Sequence, residues 1–189
     1  MLICLAPTTL SRLCAAIFTV TAGLLFGTSA VYHRGTWSPR AQVLLKRMDH
    51  SNIFLIIAGT YTPLAALLLP ADRARNLLLV VWLGALAGVL FRVFWVGAPR
   101  LLYVACYIAL GWAAVFYLPA FGRSGGTALL VLIMVGGALY TGGAVCYALK
   151  RPNPSPRWFG FHEVFHACTV AAFVAHYVAV SIAVYSHSA

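Results

Sequence analysis

Six apolar runs, near residues 11–33, 51–69, 76–97, 101–121, 127–149 and 160–185, account for most of the chain. A bilayer core about 30 Å thick is crossed by a helix of about 20 apolar residues. Backbone polar groups find no water there, so such a run must bond internally as a helix. The runs therefore predict an all-α integral membrane protein with six complete spans, forming one domain over residues 1–189. Hydrophobic residues make up 62% of the chain and charged residues 8%, a balance that excludes a soluble domain. Ahead of the first run, "MLICLAP" is apolar but too short to cross. Pro7, Thr8 and Thr9 end it like the exit of a helix, so 1–7 reads as the remnant of a further span.

The net charge of +10 comes from thirteen Lys and Arg scattered between the apolar runs. They form no basic stripe with interleaved aromatics, so nucleic acid is not an expected partner and membrane lipids are. Alternating the loops puts Arg34, Arg40, Lys46, Arg47, Arg92, Arg100, Lys150, Arg151 and Arg157 on one side, against Arg12, Arg73, Arg75 and Arg123 on the other. The positive-inside bias makes the first side, with loops 34–50 and 150–159, cytoplasmic. The five cysteines are odd in number and include no C-x-x-C, which argues against a disulfide framework or a thiolate metal site. No basic segment precedes the first run, so no cleaved signal peptide is expected.

The few polar residues at the spans converge at one depth. Ser29 and His33 lie four apart near the cytoplasmic end of the first complete span, Asp49 leads into the second, and His162 and His166 open the last. Only three acidic residues exist in the chain, and Asp49 and Glu163 belong to this group. Ionisable groups at a membrane edge are costly and so are functional candidates. Histidines at i and i+4 present both imidazoles on one helix face, and three neutral imidazoles with an open fourth position form a known shell for catalytic zinc. A zinc site of His33, His162 and His166 is therefore expected. His176 is some ~15 Å beyond His166 along the helix, too far to join that shell.

"HEVFH" also spells the H-E-x-x-H of zinc proteases. The longer metzincin pattern wants glycine and histidine where this chain has Thr169 and Ala172. A thermolysin-like site needs a downstream Glu, and no acidic residue follows Glu163. An intramembrane protease using Asp49 as third ligand fits the spacing but leaves His33 and Ser29 without a role.

The segments "SAVYH" (29–33), "MDHSNIFLIIAGTYTPL" (48–64), "YIALGWAAVFYLP" (107–119), "GGALYTGGAVCYALKRPNPSPRWFGFHEVFH" (136–166) and "FVAHY" (173–177) resemble the hemolysin III family, relatives of the progestin and adipoQ receptors. The resemblance implies a seven-helix membrane fold, with the first helix largely missing here. It also implies a zinc ion near the cytoplasmic face held by an S-x-x-x-H and an H-x-x-x-H, which map onto His33, His162 and His166. The family's Ser and Asp map onto Ser29 and Asp49. The residue after the first histidine of the pair is unspecified in that motif, so the match to H-E-x-x-H is incidental. Distant relatives include lipid amide hydrolases, which implies a zinc-dependent hydrolase of lipid amide or ester bonds. In that reading Asp49 takes a proton and Ser29 orients the water or oxyanion. A non-enzymatic zinc-stabilised membrane sensor is the alternative. The family name suggests a cytolytic protein, but few charged residues lie within the spans to line an aqueous pore.

Overall fold

The computed structural model describes residues 2–187 as a nearly all-helical chain: α1 (Leu2–Leu5), α2 (Thr9–Arg34), α3 (Pro39–Leu68), α4 (Ala71–Phe94), α5 (Arg100–Gly111), a 3-10 segment (Trp112–Tyr117), α6 (Leu118–Leu149) and α7 (Phe161–Ser186). Helix starts follow the sequence. Thr8 caps α2, its hydroxyl accepting from the Ser11 N–H at 3.1 Å while Ser11 Oγ accepts from the Thr8 N–H at 3.0 Å. Ser38 caps α3, with Pro39 in the first turn, where its missing N–H costs nothing.

That start lies twelve residues before the expected boundary at 51, so much of the expected 34–50 loop is helix and Asp49 sits inside α3. The connection shrinks to 35–38, closed by Trp37 Nε1 donating to the Val31 carbonyl at 3.1 Å. Pro63 does not break α3, which runs through it to Leu68. Arg92, expected at the membrane edge, is buried in the last turn of α4 and donates to the Trp95 carbonyl at 3.4 Å.

Among the described residues, five helical stretches are long and apolar enough to cross a membrane, and the fourth, Arg100–Leu149, is 50 residues long. At about 1.5 Å per residue it is more than twice the length of one crossing. It reverses at Gly126, whose φ of 79° and ψ of 172° are non-helical. Although eight residues separate them, a Cβ on Gly122 would stand 3.0 Å from Leu130 Cδ2. Trp112 Nε1 donates to Thr141 Oγ1 at 3.1 Å and Arg100 Nη1 to the Tyr147 carbonyl at 3.2 Å, pairing the two arms in antiparallel register. Residues 100–125 and 127–149 are thus separate crossings, six in all, as the hydropathy pattern predicts. The Gly126 conformation is one that only glycine adopts readily and costs other residues about 1–3 kcal/mol. Gly126→Ala is expected to destabilise the protein by about that amount, measured as a lowered midpoint of thermal unfolding in detergent.

The described residues form two compact units. In the first, residues 2–98 with 183–187, α3 packs between α2 and α4. Asn52 Nδ2 donates to the Leu24 carbonyl at 2.8 Å and to Thr28 Oγ1 at 2.9 Å, and Trp82 Nε1 to Thr62 Oγ1 at 3.1 Å. Phe18, Phe54, Leu77 and Val81 fill the interior. In the second, residues 99–182, Phe121, Leu129 and Ala172 are buried, and Gly143 lets α6 approach Cys168 of α7, where a Cβ would stand 2.7 Å from that side chain. Gly23 and Gly27 make no such close approach.

Candidate metal centre

In the second unit, the start of α7 is built to present two imidazoles. Glu163 Oε2 accepts the Gly160 N–H at 2.8 Å and Asn153 Oδ1 accepts the Phe161 N–H at 3.1 Å, satisfying donors that a helix N-terminus leaves open. The "KRPNPSPRW" segment between α6 and α7 is non-helical, as its prolines require. Lys150 ends α6 in a left-handed conformation. One turn apart on α7, His162 and His166 turn their Nε2 atoms toward each other at 3.1 Å, with ring centroids 4.6 Å apart and planes at 85°. Two nitrogens each about 2.0–2.1 Å from a tetrahedral ion would be about 3.3 Å apart, so the pair has the spacing of two ligands to one metal.

Side chains that sequence reasoning did not single out hold these rings. Tyr147, near the end of α6, stacks at 5.8 Å from His162 and 5.1 Å from Phe165. Its hydroxyl lies 3.4 Å from that of Tyr103. The Arg100 guanidinium lies over the Tyr147 ring at 4.8 Å and the Phe161 ring at 5.6 Å, so one cation ties the starts of α5 and α7 to the end of α6.

The first unit carries the other polar residues. His33 is exposed in the last turn of α2, its ring 4.7 Å from that of Tyr32. Ser29, one turn earlier, and His33 are both near enough to the Asp49 carboxylate of α3 to interact with it. Asp49 Oδ2 is also 3.7 Å from His50 Nδ1, and the Asp49 side chain is only 15% exposed. His50 Nδ1 donates to the Lys46 carbonyl at 2.9 Å. Ser29, His33 and Asp49, predicted from two separate places in the sequence, are near one another in this unit. Glu163 is exposed and occupied with its helix cap.

A family model described as "Haemolysin-III related" matches residues 1–177. The chain belongs to the hemolysin III family. Two curated relatives agree. The "Hemolysin-3 homolog" of Bacillus subtilis (strain 168) is 34% identical over 146 residues, 77% of this chain and 68% of that protein. The "Hemolysin-3" of Bacillus cereus is 32% identical over 136 residues, 71% of this chain and 61% of that protein. The hemolysin III match and the apolar helices together make the chain a multi-pass membrane protein.

Proposed function

We propose that His33, His162 and His166 hold one zinc ion with a fourth position open to water or substrate, and that the protein is a zinc-dependent hydrolase of an amide or ester bond in a membrane lipid. The observation that carries this reading is the 3.1 Å approach of the His162 and His166 Nε2 atoms. His33, the third ligand proposed, ends α2 one turn after Ser29. An all-imidazole set suits zinc. An ion held there would supply Lewis acidity, polarising a carbonyl and lowering the pKa of a water to about 7. Asp49 is the proton acceptor in this scheme, a partly buried carboxylate beside His33. Ser29, near that carboxylate, orients the water or oxyanion in this scheme. The basic residues within 34–50 and 150–159 support a cytoplasmic position for those loops.

The hydrolase reading is tested with purified protein and a panel of lipid amides and esters, with chelator and zinc re-addition. Turnover that chelation abolishes and zinc restores is expected. Zinc without turnover on any substrate would favour the non-enzymatic reading, in which the ion ties helices together and Asp49, already close to His33, closes its shell. In the same assay Glu163→Gln should retain activity, because Glu163 serves the helix start. A general base in that position would instead lose about 10²–10⁴-fold.

A further inference from the structure

A second polar station lies deeper in the second unit, between α6 and α7. The rings of Tyr140 and His176 are 5.5 Å apart at 46°. Tyr140 Oη and His176 Nδ1 are both buried, and neither has a hydrogen-bond partner among the described residues, so they do not bond each other. Buried polar atoms of native proteins are nearly always bonded, because an orphan forfeits its hydration with nothing in return. Two such orphans beside each other in an apolar helix pair mark a place where something polar binds.

The chemistry of that guest follows from the histidine's other nitrogen. His176 Nε2 lies 3.3 Å from the Ile133 carbonyl, which can only accept, so Nε2 carries the proton. Gly136 makes this approach possible, since a Cβ there would stand 2.5 Å from both Nε2 and Cδ2 of the ring. In the neutral ring Nδ1 is then an acceptor and needs a donor. The Tyr140 hydroxyl can donate to the same guest. One oxygen that gives a proton to Nδ1 and takes one from Tyr140 is an O–H oxygen.

We propose that Tyr140 and His176 form a buried binding site for a single hydroxyl group, bridging Tyr140 Oη and His176 Nδ1 between α6 and α7. Water and the hydroxyl of a membrane lipid present this same chemistry. The site does not depend on the metal reading, because His176 is ten residues beyond His166 on α7, about 15 Å along the helix.

The test is side-chain nitrogen NMR on full-length, ¹⁵N-histidine-labelled protein in detergent, with the His176 signals assigned by their loss in His176→Gln. The expected result for wild type is a neutral ring protonated at Nε2 with a hydrogen-bonded Nδ1. In Tyr140→Phe, the Nδ1 signal should move toward that of a free acceptor while the other five histidines stay unchanged. A ring protonated at Nδ1, or a free Nδ1 signal indifferent to Tyr140→Phe, would overturn the proposal. If Tyr140→Phe fails to fold, the assigned wild-type spectrum decides alone. Native mass spectrometry separates the two sources. A hydroxylated lipid retained by wild type and lost from Tyr140→Phe identifies the lipid. A hydrogen-bonded Nδ1 with no retained lipid identifies water.

Discussion

Purified in detergent, the wild-type protein is expected to carry about one zinc per chain, and His162→Ala and His166→Ala are each expected to carry almost none. The two Nε2 atoms, 3.1 Å apart on consecutive turns of one helix, supply two of the three proposed ligands from a rigid element. Either substitution leaves two nitrogens, which cannot form a three-ligand shell. Metal analysis should be accompanied by circular dichroism and gel filtration, so that loss of metal is separated from loss of fold. His50→Gln is the control, since His50 Nδ1 donates to the Lys46 carbonyl and contributes no ligand; it should keep its zinc. Full occupancy in the folded His162 and His166 variants would place the metal elsewhere and sink the site.

The spans were legible because membrane crossing imposes length and apolarity together, and six of them follow from hydropathy alone. Boundaries were less so. Residues 40–50 of α3 are rich in polar and basic side chains, and hydropathy assigns them to a loop. The Ser38-Pro39 pair, a cap followed by proline in the first turn, was the signal that helix starts there. The reversal at Gly126 was legible as a gap between apolar runs, but its conformation was not. The i, i+4 geometry of His162 and His166 is local, so the sequence carries it fully. The nearness of Ser29 to Asp49 is not local: it depends on how α2 and α3 pair, which spacing cannot specify. Tyr147 and Arg100 were missed for the same reason, since their contacts with α7 join residues far apart in the chain. Glu163 was ambiguous in sequence because one spelling serves a catalytic motif and a helix cap. The Gly160 bond identifies it as the cap.

Asp49→Asn should lower lipid hydrolysis by about 10²–10⁴-fold, the range for losing a general base, while leaving zinc content unchanged. Asparagine has nearly the same shape and can still accept a hydrogen bond through its carbonyl oxygen, so the packing of α3 survives and only proton acceptance is lost. Ser29→Ala should be milder, about 10–100-fold in activity, as expected for a residue that orients a functional group. It removes a hydroxyl that would orient the water or oxyanion but keeps the carboxylate itself. The pair of variants separates the two readings of this site. If Asp49 closes the metal shell, Asp49→Asn will lose zinc together with thermal stability, because the amide is a poor substitute for a carboxylate ligand. If Asp49 is the base, zinc and stability remain and only turnover falls. A folded, zinc-loaded Asp49→Asn protein with undiminished hydrolysis would remove Asp49 from the chemistry and leave the proton acceptor to be found among the other groups around His33.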